Sequence, residues 1–67
     1  MKYIPGTEFS ITKASKQFQI GEAYRIHHIN PTEDGVEYTF LTNTGTVSMT
    51  FETVGIAEKL ISKYGDI

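Results

Sequence analysis

The stretch from Val36 to Glu52 alternates in hydropathy with a period of two, and it constrains the fold more than any other segment. Val36, Tyr38 and Phe40 interleave with Glu37, Thr39 and Leu41. After Asn43-Thr44-Gly45, Val47, Met49 and Phe51 interleave with Ser48, Thr50 and Glu52. Successive side chains of a strand point to opposite faces, so each half is a strand with one apolar face, and together they form an antiparallel hairpin. An even loop, of two or four residues, keeps apolar residues opposed: Thr42 with Val47, Phe40 with Met49, Tyr38 with Phe51. A three-residue loop would set Phe40 against Ser48. Thr44 disfavours positive φ, so the four-residue loop is the expected one.

At Thr53 the period changes. Val54, Ala57 and Ile61 interleave with Ile56, Leu60 and Tyr64 at the three-and-four spacing of an amphipathic helix over about 53–64. Thr53 is a suitable N-cap and Gly65 a natural C′ residue. Gly55 in the first turn weakens the helix by about 1 kcal/mol relative to alanine. Such a helix is expected to lie across the open end or face of the sheet.

Upstream, Pro5-Gly6 marks a turn, and Glu8 to Lys13 reads as a strand with Phe9 and Ile11 on one side. Ala14 to Gln17 breaks the alternation as a loop, and Phe18 and Ile20 open a second extended stretch that runs to Ile29. Asn30-Pro31-Thr32-Glu33-Asp34-Gly35 has the composition of a loop. Within the second stretch, simple alternation turns His28 inward and Ile29 outward. One extra residue removes the conflict. A β-bulge with His27 and His28 together opposing Glu37 pairs Ile29 with Val36, Ile26 with Tyr38 and Tyr24 with Phe40. Arg25 then opposes Thr39 on the outer face, and both imidazoles lean outward near Glu37.

Sixty-seven residues make one domain (1–67), and no cysteine is present to support it with a disulfide or a thiolate metal site. The expected class is mainly β with one C-terminal helix. Four to five short antiparallel strands followed by a helix resemble a small SH3-like barrel with a terminal helix, or the chromodomain-like curved sheet closed by a helix. The likeness is one of architecture, not of sequence motifs.

No apolar run is long enough to span a bilayer, and Met1 to Gly6 lacks the apolar run of a signal peptide, so a cytoplasmic protein is expected. The net charge is −2, unevenly spread. Lys2, Lys13, Lys16 and Arg25 outnumber Glu8 and Glu22 in residues 1–25. Glu33, Asp34, Glu37, Glu52, Glu58 and Asp66 outnumber Lys59 and Lys63 beyond them. Catalytic patterns are missing. There is no Gly-x-Ser-x-Gly elbow, no glycine-rich phosphate loop and no EF-hand spacing around Glu33-Asp34. Adjacent histidines rarely ligate one ion and no third ligand is spaced for them. Neither an enzyme nor a cofactor or metal is therefore expected.

Binding is the expected activity, with a protein partner first. Small barrels offer sheet edges and aromatic-lined grooves, and a small accessory or regulatory protein, of a kind that phages and mobile elements encode, would dock on a larger one. Tyr3 is the tyrosine expected to be exposed. Tyr24, Tyr38 and Tyr64 fall on inner faces. Nucleic acid is the alternative: Lys13, Lys16 and Arg25, with Gln17 and His27, would contact phosphates. Small Lys-rich archaeal chromatin proteins have a similar plan, but this chain is acidic and has no dense lysine face. His28 joins His27 as a bulge residue on a solvated face, or as part of a pH-sensitive contact surface. A ladder of Thr39, Thr42, Thr46, Ser48 and Thr50 would permit homo-oligomeric strand pairing, although an ordinary solvent-facing strand looks the same.

Overall fold

The structure, a computed structural model, describes residues 1–67. In chain order the elements are β1 (Glu8–Ile11), β2 (Ala23–Thr32), β3 (Gly35–Thr42), β4 (Gly45–Phe51), α1 (Val54–Tyr64) and β5 (Gly65–Asp66). The strands form one antiparallel sheet in the order β4-β3-β2-β1-β5.

Two Thr-x-x-Gly turns set its registers. Thr32 pairs with Gly35 across Glu33-Asp34, and Thr42 with Gly45 across Asn43-Thr44. The positive φ values fall on the glycines that follow the two central residues of each turn, 155° at Gly35 and 127° at Gly45, and on no non-glycine residue. The second turn is tied by Thr42, whose Oγ1 accepts from the Thr44 N–H at 3.2 Å and donates to the Gly45 carbonyl at 2.9 Å. The expected four-residue loop is therefore corrected to two, because Thr44 need not enter the left-handed region. The loop remains even, and the pairs are Phe40 with Val47, Tyr38 with Met49 and Val36 with Phe51.

The β2–β3 ladder is slid along β3 by the same two residues. Ile26 pairs with Phe40, Ile29 with Tyr38, Pro31 with Val36, and Arg25 with Leu41 in place of Thr39. The register shift falls between Ile26 and His28, so the bulge sits at the expected residues, but His28 opposes Thr39 and not Glu37. Asn30, Pro31 and Thr32 belong to β2, which shortens the expected loop to Glu33-Asp34. Thr32 next to the turn is a hydrogen-bonded position, so Pro31 occupies a non-bonded one and its missing N–H takes no bond from β3.

One face of the sheet carries the core: Phe9, Tyr24, Ile26, Val36, Tyr38, Phe40 and Phe51, joined by Ala57 and Ile61 of α1. Phe18, expected in the second strand, lies instead in the connection between β1 and β2 and is 1% exposed, while Ile20 is 57% exposed. Its ring meets Phe9, Tyr24 and Phe40 edge-on, at centroid distances of 5.6, 5.4 and 5.8 Å. Ser15 holds that bend: its Oγ accepts from the Phe18 N–H at 2.9 Å, and the Gln19 N–H donates to the Tyr24 hydroxyl at 3.0 Å.

Helix α1 starts at the expected cap, with the Ile56 N–H donating to Thr53 Oγ1 at 3.1 Å. Its end differs. Gly65 has φ −109° and begins β5, which pairs with β1. A Cβ there would lie 2.8 Å from the Ile61 carbonyl oxygen and 3.0 Å from the Phe9 ring, so close packing requires this glycine, not a left-handed cap. The helix packs against both β4 and β5, the two edges. The sheet is thus open and no strand pair closes it into the expected barrel; α1 spans the gap.

A Cβ at Gly55 would meet only Thr53 Oγ1, at an ordinary 3.7 Å. Gly55→Ala is therefore expected to stabilise the fold by about 0.5–1 kcal/mol in urea unfolding. The Tyr38 hydroxyl is buried without a hydrogen-bond partner, and burial, then the Glu58 carboxylate, raises its pKa above the ordinary 10.0. Tyr38→Phe removes an unsatisfied donor and should be neutral or stabilising by up to about 1 kcal/mol. The raised pKa gives stability that is complete below pH 10.0 and lost as pH rises through the folded-state value. Denaturation curves above pH 10.0 should accordingly show a decline that Tyr38→Phe lessens.

Candidate functional site

The free edge of β4 and the cleft beside it form the most distinctive surface of the chain. In an antiparallel ladder the backbone groups of alternate residues turn to the same side. Gly45, Val47, Met49 and Phe51 bond to β3, so the N–H and C=O groups of Thr46, Ser48 and Thr50 point away from the sheet, where no strand follows. All three residues are exposed. The segment Gly45–Phe51 contains no charge and no proline, and its pairing shows no register shift. Those are the usual devices that keep an edge from pairing. The other edge, β5, is only two residues long.

On the core side of β4, the connection from Thr12 to Glu22 folds back toward the β3–β4 turn and leaves a cleft of about 470 Å³. Phe18, Tyr24, Val47 and Met49 supply its apolar lining, and Val47 remains 40% exposed. Glu22 lines the cleft too. It is half-buried, and its Oε2 is shielded from solvent with no donor in reach. The Glu22 N–H donates to the Gln19 carbonyl at 3.2 Å, and its own carbonyl accepts from the Ile11 N–H at 3.0 Å, so its backbone is held at both groups.

The residues expected to bind a partner are distributed unevenly around this surface. Lys16 and Gln17 line the cleft. Arg25 lies on the opposite face of the sheet beside a smaller depression of about 190 Å³, paired across the strands with Glu8. Its Nε donates to Glu8 Oε1 at 3.1 Å and its Nη2 reaches the same oxygen. Both side chains are exposed, and an exposed pair of this kind contributes no more than about 1 kcal/mol. Lys13 stands at the end of α1, where its N–H donates to the Tyr64 carbonyl at 3.3 Å. Of the three cations of the expected basic patch, only Lys16 lines the cleft. His27 and His28 are exposed at the bulge.

Tyr3 is corrected outright. It is 9% exposed, belongs to the core, and bonds through its hydroxyl to Ser62 Oγ at 2.5 Å while its N–H donates to Glu58 Oε2 at 3.1 Å. The segment before β1 thus straps the helix, a role that the seven residues ahead of the first strand do not announce. Glu22 was the residue that sequence reasoning missed, because Phe18 and Ile20 mimic the start of a strand and hide the loop that places it.

No three His, Asp or Glu side chains gather as metal ligands would, and no helix is long and apolar enough to cross a membrane. No protein-family model, curated protein or solved structure matches the chain.

Proposed function

We propose that the chain is a non-enzymatic protein-interaction module, a small cytoplasmic accessory or regulatory protein that docks on a larger protein by accepting an extended segment along β4. The observation that carries this reading is the unpaired, uncharged edge Gly45–Phe51, with the backbone groups of Thr46, Ser48 and Thr50 directed outward. Strand addition draws affinity from such main-chain groups and specificity from pockets that take alternate side chains, and the cleft lies on the core side of the same strand. An SH3-like plan is supported by the strand order, by the long β1–β2 connection and by the return of β5 to β1 after the helix.

Ser48→Pro tests it. The Ser48 N–H faces away from β3, so proline removes an outward donor while sparing the ladder. Linear peptides selected from a random display library against the wild-type protein should lose binding at least tenfold to a Ser48→Pro variant of unchanged circular dichroism. Failure to recover peptides, or recovery of peptides indifferent to the substitution, would overturn the reading. The nucleic-acid alternative rests on Lys13, Lys16, Gln17, Arg25 and His27, of which Lys16 and Gln17 line the cleft. A salt-sensitive shift of DNA or RNA, abolished by substituting Lys13, Lys16 and Arg25 together, would put it in first place.

A further inference from the structure

We propose that the cleft between the β1–β2 connection and β4 is a subsite for one lysine or arginine side chain of the docked segment, with Glu22 as its counter-ion. The inference rests on the strand-addition reading and names the side-chain chemistry that this reading leaves open.

Three observations carry it. First, Glu22 holds a carboxylate oxygen away from solvent with no hydrogen-bond donor. An oxygen that has lost water without gaining a partner is costly, and a cation bonded to the same carboxylate offsets that cost by supplying the missing counter-charge. Second, the remaining lining suits a long amphipathic side chain. Phe18, Tyr24, Val47 and Met49 are apolar or aromatic and offer cover for the methylene stem, while Glu22 meets the charged head. A purely apolar side chain satisfies only one half of that lining, and a short acidic one neither. Third, the cleft adjoins β4 on the face to which Val47 and Met49 point. A strand added to β4 has every second side chain on that same face, so the register of docking sets one of them over the cleft.

The cleft has a cation of its own, Lys16, and no bond joins it to Glu22; Lys16 is exposed. It weakens the local negative field, so Lys16→Ala is expected to raise affinity for a cationic peptide.

The test uses peptides recovered on the wild-type protein and lost on Ser48→Pro. These should share a lysine or arginine at one fixed position. Replacing that residue with norleucine, which keeps the stem and removes the charge, should weaken binding about tenfold or more, the scale of a hydrogen bond to a charged group. In a Glu22→Gln background the same replacement should have little effect, so that the two changes are coupled and not additive. Glu22→Gln and Glu22→Ala should both unfold at wild-type denaturant concentrations or higher, which separates lost binding from lost folding. If β4-dependent peptides carry no fixed cation, or if the norleucine effect is as large in the Glu22→Gln background as in the wild type, the subsite is refuted while strand addition stands. If no peptide depends on Ser48, strand addition fails, and the subsite fails with it.

Discussion

Replacing Phe18 with alanine is expected to remove about 3–5 kcal/mol of folding stability, the usual range for a fully buried phenylalanine. The side chain is 1% exposed and closes an aromatic cluster with Phe9, Tyr24 and Phe40. A domain of this length holds roughly 3–10 kcal/mol in total, at about 0.05–0.15 kcal/mol per residue. The substitution should therefore leave much of the population unfolded in water, readable as lost circular dichroism or a collapsed urea midpoint. The substitution reaches the candidate site as well, because the same connection walls the cleft and carries Glu22. A loss below about 1 kcal/mol, the level of a surface change, would mean that the segment does not dock on the core.

The second large effect is expected at Gly35. Its φ of 155° is strained for any other residue, and a Cβ built there would overlap the Phe51 carbonyl oxygen of β4, with the Glu52 carbonyl at 3.1 Å. Left-handed strain contributes about 1–3 kcal/mol, and the collision is with backbone, which moves only if the end of β4 moves. Gly35→Ala should consequently cost about 2–4 kcal/mol and disturb the β3–β4 ladder near Val36 and Phe51. Gly45 is the internal control: it has φ 127° but open space at the Cβ position. Gly45→Ala should lose only the strain, about 1–3 kcal/mol, and less than Gly35→Ala loses. Equal losses at the two glycines in urea unfolding would show that the close approach at Gly35 does not exist.

What could be read from the residues alone follows a physical rule. Alternation along Val36–Phe51 determines which side chains face inward, so β3, β4, the even loop and the bulge at His27-His28 were legible. A slide of two residues leaves every inward residue inward. That is why both ladders could be misplaced along β3 without any conflict in the pattern. Only turn chemistry separates the alternatives, and it lies in the Thr-x-x-Gly steps at Thr32 and Thr42, where glycine takes the positive φ.

The helix was legible from its period and from Thr53, but Gly65 carried a misleading signal, since a glycine that ends a helix and a glycine that admits Phe9 look alike. Tyr3 and Phe18 sit outside any periodic stretch, and their burial depends on contacts with residues more than fifty positions away or on a loop held by Ser15. For the candidate site, the uncharged composition of Gly45–Phe51 was visible from the start. Its position at the edge was not, because strand order is a property of the whole sheet. Lys16 and Gln17 were found by composition and line the cleft. Arg25 was found the same way, and cross-strand pairing sets it beside Glu8.

Backbone amide hydrogen exchange at Thr46, Ser48 and Thr50 tests strand addition most directly, because it reads the groups on which the reading depends. In the free protein these amides face solvent and should exchange rapidly, while those of Val47 and Met49, bonded to β3, exchange slowly. When the tightest library-selected linear peptide is added to saturation, all three should become protected together. Unchanged rapid exchange at the three positions with the peptide bound would contradict the account. So would protection in the peptide-free protein that rises with its concentration, because the edge would then belong to a second copy of the chain.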